Sequence, residues 1–243
     1  SRTGQPGARP DEAGTTPGCL EGFVMKVPMA LAIAALLGMA GGAALVGQLG
    51  YDLFPDAGGH GAWYASRAAG LAAYLAVWGS LVTGLLMSSA WLDGFVGRAR
   101  LLAWHQALAL TGLALGAGHA LLLIPDGFTS FGLIDIAVPF ASYYEPALAG
   151  LGAIALYMFA LVSFSFWFRN RIGMRMWRTI HLTSLLAYVA ALWHGVQMGS
   201  DSGEVWVAGM YVVTFALLAG ALTTRLTYVR PSRSRAQAET RAG

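Results

Sequence analysis

Four of the five histidines in this chain stand as two spaced pairs, each inside a long apolar stretch. His105 and His119 are 14 residues apart in LLAWHQALALTGLALGAGHALLLI, and His181 and His194 are 13 apart in MWRTIHLTSLLAYVAALWHGVQM. An ionisable side chain inside a membrane helix is costly and is usually kept for function. Neutral imidazole is also a common metal ligand. At the rise of an α-helix each pair spans roughly 20 Å of a hydrocarbon core about 30 Å thick. Each helix therefore carries one histidine toward each leaflet. Two such helices side by side make two stacked bis-histidine sites, the geometry of a di-haem electron path across a membrane. A haem iron with two axial imidazoles is six-coordinate and suited to electron transfer. The chain has no C-x-x-C-H motif, which excludes c-type attachment.

The elements that must position these histidines follow from composition. The chain is 56% hydrophobic and 11% charged, whereas soluble domains carry about 25% charged residues. Six stretches are long and apolar enough to span a bilayer, near 26–50, 67–92, 100–124, 147–169, 176–198 and 205–228. The expected architecture is an all-α, six-helix membrane bundle over 24–229. It is flanked by a Gly-, Pro- and charge-rich segment at 1–23, expected to be disordered, and a basic tail at 230–243. No connection is long enough for a second soluble module, so no flavin or nicotinamide site is expected on this chain. The stretch MKVPMALAIAALLGMAGGAALVG also fits a signal peptide, but its length favours a retained helix.

Every Lys and Arg except Arg67 falls in the N-terminal segment, the second or fourth connection, or the C-terminal tail. Asp52, Asp56, Asp126, Asp135, Glu145, Asp201 and Glu204 fall in the other connections. The positive-inside rule then puts both termini in the cytoplasm. The basic balance reflects this topology and not nucleic-acid binding. Cys19 is the only cysteine, so no disulfide forms within the chain. The third connection, PDGFTSFGLIDIAVPFASYYEP, is expected to hold an interfacial helix able to cover the outer site.

The third and fifth spans run in the same direction, so their histidines match in depth. His105 should pair with His181 near the cytoplasmic face, and His119 with His194 near the outer face. Gly112, Gly116 and Gly118 on one helix, and Ser184, Ala187, Ala190 and Ala191 on the other, leave room for a porphyrin face or for close helix packing. The spacings differ in one respect. Fourteen residues leave His105 and His119 about 40° apart around their axis, and thirteen leave His181 and His194 about 140° apart. Either the fifth span kinks, or its histidines sit on different flanks.

Haem propionates are anions, and arginine is their natural partner. Arg98, Arg100, Arg175 and Arg178 crowd the cytoplasmic ends of the histidine helices, and Arg178 is taken as a cofactor-binding candidate. Topology alone also accounts for such arginines. Arg67 is the one basic residue on the outer side and a candidate partner for an outer propionate. His60, in PDAGGHGAW, reads as a solvated loop residue. Tyr74, Trp78, Tyr188 and Trp193 either line the path between the sites or serve as ordinary core and interface aromatics. No internal repeat stands out.

These residues resemble the ferric reductase-like transmembrane domain, a family of ferric reductases, NADPH oxidases and the membrane cytochrome partner of the periplasmic methionine sulfoxide reductase. The matching features are the two histidine pairs, the six spans, Arg67-Ala-Ala-Gly70, and Trp177-Arg178-Thr179-Ile180-His181. The phrase from His194 to Asp201, HGVQMGSD, is similar to a stand-alone bacterial subgroup. The resemblance covers about residues 26–228. It implies two haem b groups, with His105 and His181 as inner ligands and His119 and His194 as outer ones. It also implies a donor, either a cytoplasmic flavoprotein reductase or membrane quinol, and an extracytoplasmic redox protein or small molecule as acceptor. The chain departs from oxidases and iron reductases in lacking their C-terminal flavin and nicotinamide domain.

Transmembrane electron transfer, as an oxidoreductase component, is thus the expected function. Two other readings stay open: a terminal metalloreductase or oxygen reductase acting at the outer haem, and a transporter or haem-handling membrane protein.

Overall fold

The computed structural model describes residues 61–88, 97–125 and 131–228. Among them the chain is entirely helical: α1 Gly61–Ser88, α2 Arg98–Leu121, α3 Leu133–Ala137, α4 Pro146–Ile172, α5 Met174–Met198 and α6 Val205–Tyr228. All but α3 are long and apolar enough to cross a membrane. These five match the second to sixth expected spans. The first expected span, His60, Cys19 and both flanking segments lie outside the described residues. The protein is therefore a multi-pass membrane protein with at least these five spans.

One boundary differs from the sequence reading. α1 begins at Gly61 and carries Arg67 inside the helix rather than at its start. The extension is tolerated because the Arg67 charge is met within the protein, by an ion pair to Asp201 and by the Trp63 ring 4.2 Å from its guanidinium carbon.

The helices are apolar outside and small or polar inside, the reverse of a soluble bundle. On α5, Leu182, Leu186, Val189 and Trp193 form an exposed stripe, while Ser184, Ala187 and Tyr188 are buried. Where lipid is as apolar as the side chains, association rests on close packing and hydrogen bonds. α1 and α2 form one tight antiparallel pair, and Gly112 makes the approach possible, since a Cβ there would lie 2.7 Å from the Val77 side chain. α4 and α5 form the second pair, joined by a turn at Gly173, whose φ of +83° disfavours any residue with a Cβ. Pro146 opens α4, and Arg169 and Arg171 stand in its last turn, where cations complement the helix dipole.

α6 docks through a buried polar knot. The Tyr74 hydroxyl is 2.7 Å from that of Tyr188 and 2.6 Å from that of Thr214, and Trp78 Nε1 donates to the Thr214 carbonyl at 2.9 Å. Tyr211 meets Tyr74 edge-on. This knot ties α1, α5 and α6 together at mid-bundle.

Candidate bis-histidine sites

α2 and α5 run parallel, and the four helical histidines meet as two pairs. The ring centres of His105 and His181 are 5.9 Å apart, at an interplanar angle of 67°. Those of His119 and His194 are 6.2 Å apart, at 78°. The pairing is the one expected from helix direction.

Three of the four rings are held from behind by the same device. His119 Nδ1 is 2.8 Å from the Ser66 carbonyl, His105 Nδ1 is 2.8 Å from that of Ser80, and His194 Nδ1 is 2.8 Å from that of Leu148. A carbonyl only accepts, so each Nδ1 carries the proton and donates. That tautomer leaves Nε2 with its lone pair, the form in which imidazole ligates a metal. One turn beyond each carbonyl stands a glycine beneath the ring. A Cβ would lie 2.9 Å from His119 at Gly70, 3.3 Å from His105 at Gly84, and 2.7 Å from His194 at Gly152. Ser66 and Ser80 close the contact in return, their hydroxyls donating to the carbonyls of His119 and His105 at 2.8 and 3.1 Å.

This cradle was missed in the sequence, although its signal was there. Ser66-x3-Gly70 and Ser80-x3-Gly84 repeat at 14 residues, the spacing of His105 and His119. In an antiparallel pair, equal spacings bring each repeat opposite one histidine. The α4 copy is harder to see, because Leu148 contributes only its carbonyl.

His181 differs. Its ring stacks on Trp177 at 5.1 Å and faces His105. Among the described residues neither of its ring nitrogens has a hydrogen-bond partner.

Each pair borders a cavity. The outer one, about 370 Å³, is lined by Ser66, Arg67, Gly70, His119, Gly152, His194 and neighbours. The inner one, about 180 Å³, is lined by Ser80, His105, Gln106, Trp177, His181 and neighbours. Val77 and Phe159 border both and form the partition between them. Tyr74 and Tyr188 line the outer cavity, but Trp193 points outward. Phe131, Asp135, Ile136 and Tyr144, around α3, complete the outer wall, as expected of a covering segment. Two buried polar atoms at the inner cavity have no partner among the described residues, Gln106 Oε1 and Trp177 Nε1.

The arginine candidates separate. Arg67 lies on the outer cavity wall but is engaged by Asp201, to which its Nε donates at 2.8 Å. Arg98, Arg100, Arg175 and Arg178 are exposed at the basic end and line neither cavity. Of the small residues, Gly112, Gly116 and Ala191 border the outer cavity and Ser184 the inner one. α5 is one uninterrupted helix, so its two rings occupy different flanks: His194 lies on Gly152 of α4, and His181 lies on its own helix's Trp177.

The donor set narrows the ligand. Among the described residues no three His, Cys, Asp or Glu side chains gather as a metal group. A bare transition metal seeks four or more ligands. Two imidazoles alone would suit a metal that arrives with its other ligands already in place. Each pair brings two imidazoles close enough to reach one metal, with ring centres 5.9 and 6.2 Å apart. Comparison with family models, curated proteins and solved structures gives no match.

Proposed function

We propose that this protein is a di-haem b membrane cytochrome that carries electrons across the bilayer, and that its resemblance to the ferric reductase-like transmembrane domain reflects a shared function. The observation that carries the reading is the pair of imidazole couples at metal-bridging separation, with three Nδ1 atoms pinned to helix carbonyls. A satisfied core histidine needs a partner for its ring, but it does not need a second histidine at that distance, repeated about four helical turns away.

His105 and His181 would hold the inner haem and His119 and His194 the outer one. When bound, each haem supplies a one-electron centre. The chain's part is to orient the imidazoles, exclude water and set the potentials. Hydrogen bonds to the carbonyls of Ser66, Ser80 and Leu148 make these imidazoles more basic, and so would make them stronger ligands to a bound haem. Trp177 Nε1 and the Gln106 amide, whose oxygen and nitrogen interchange by a flip, would be available at the inner cavity to hydrogen-bond polar groups of a bound haem. Val77 and Phe159, both apolar, separate the two cavities. No carboxylate lies within the described spanning helices, which argues against a proton pump.

In this reading the basic end is cytoplasmic, the membrane is a bacterial-type plasma membrane, and both termini are inside. Electrons enter from a cytoplasmic flavoprotein reductase or quinol and leave to an extracytoplasmic protein or small acceptor. A terminal reductase is the second reading, favoured by the larger outer cavity with the Arg67–Asp201 pair on its wall. The deciding experiment is a pyridine haemochrome count on purified protein with optical and EPR spectra. Two low-spin haems per chain support the proposal. A full preparation with one haem or none sinks it. Direct, fast oxidation of the reduced protein by ferric chelate or oxygen then separates the second reading from the first.

A further inference from the structure

The two sites are built from one device, and one of the four histidines lacks it. Where α1 offers Ser80 and Gly84 as it offers Ser66 and Gly70 one repeat away, α4 does not repeat its own cradle. Fourteen residues beyond Leu148 and Gly152 stand Val162 and Phe166, and both line the inner cavity. Phe166 stands at the register position where the outer site has glycine, and packs edge-on against Trp177 with ring centres 6.3 Å apart. The Val162 carbonyl is engaged by the Ser165 hydroxyl at 2.8 Å. α5 is out of step too, because 13 residues turn His181 about 140° from the direction of His194. A ring in the cradle is fixed by a directional hydrogen bond and by contact beneath it. Among the described residues the His181 ring has no hydrogen bond and rests on its stack with Trp177 and an edge contact with His105, which tolerate sliding and rotation.

We propose that the inner site is an exchangeable one: in the reduced protein His181 gives way to a small neutral exogenous ligand of the carbon monoxide class, while His105 stays bound and the outer pair stays closed. The proposal rests on the haem reading above. No electron or proton moves in the exchange. One metal–imidazole bond breaks, one bond to the incoming ligand forms, and the freed imidazole remains in the inner cavity beside Trp177.

The test uses the full chain, first shown by haemochrome assay to hold two haems. Under dithionite and carbon monoxide, about half of the reduced haem should form an adduct. The His119→Ala/His194→Ala protein should convert its remaining haem, and the His105→Ala/His181→Ala protein should convert none. Trp177→Leu, which removes the stack, should raise carbon monoxide affinity severalfold, and Trp177→Phe should stay near the parent. A redox titration under carbon monoxide checks the unmodified chain. One potential should rise, and it should be the one that Arg67→Gln, at the outer cavity, leaves in place. Two bound haems with no adduct, an adduct on the outer haem, or an affinity unmoved by Trp177→Leu would overturn the inference. A chain that binds no haem overturns the function reading instead.

Discussion

At the outer pair both imidazoles lean on a helix carbonyl with a glycine beneath the ring; at the inner pair only His105 does. The difference traces to helix arithmetic. Fourteen residues are close to four full turns, so α1 and α2 present equivalent faces twice, and a single cradle serves both of their contacts. In α5 the histidines are 13 apart, and α4 carries Phe166 where a second glycine would be needed. The lesson is that two histidine pairs can be anchored differently through one residue of spacing. Both outer rings are hydrogen-bonded from behind, and among the described residues only one inner ring is.

The largest expected effect is loss of a whole site. His119→Ala or His194→Ala should remove one haem of two and leave the inner spectrum intact, and His105→Ala or His181→Ala should do the converse. The haem count per chain is the measurement. Spectra in which His105 and His194 share one haem would break the comparison at its root.

Next come the glycines, which sharpen it. Gly152→Ala puts a methyl group 2.7 Å from His194, and Gly70→Ala puts one 2.9 Å from His119, closer than real contacts allow. Overpacking of this kind costs about 1–3 kcal/mol, roughly five- to 150-fold in affinity where binding is the readout. Gly84→Ala, at 3.3 Å from His105, should cost clearly less. Haem retention during dilution in detergent ranks the three. Equal retention would mean that the cradle does not position the rings.

Tyr74→Phe should act on the bundle and not on the comparison. It removes the hydroxyl shared by Tyr188 and Thr214 and leaves both partners buried. A loss of about 1–3 kcal/mol in thermal stability is expected, with both haem spectra unchanged. A spectral change at one haem alone would bring the tyrosine knot into the electron path.

The smallest effect concerns the ion pair on the outer wall. Arg67→Gln leaves Asp201 uncompensated, which favours the ferric state, so the outer potential should fall by about 40 mV for about 1 kcal/mol of differential stabilisation. Asp201→Asn should raise it by a similar amount, and the double variant should lie near the parent. Redox titration reads all three. A shift confined to the inner haem would return the pair to a purely structural role.

Much of this protein was legible without coordinates. Apolar length alone marks the five described spans, because every backbone amide inside a bilayer must be paired within a helix. Even spacing in depth, together with the parallel run of two helices, is enough to pair His105 with His181 and His119 with His194. The tertiary structure decided what lies behind those rings. The carbonyls of Ser66, Ser80 and Leu148 and the space over Gly70, Gly84 and Gly152 matter only once a neighbouring helix is set in antiparallel register. A carbonyl leaves no mark in side-chain identity, and a glycine in a membrane helix is common enough to pass unnoticed. The partnership of Arg67 with Asp201, 134 residues away, and the meeting of Tyr74 with Tyr188 and Thr214 likewise depend on which helices are neighbours. Periodicity along one helix carries direction and depth, but contact across helices requires rotation and register, which only packing sets.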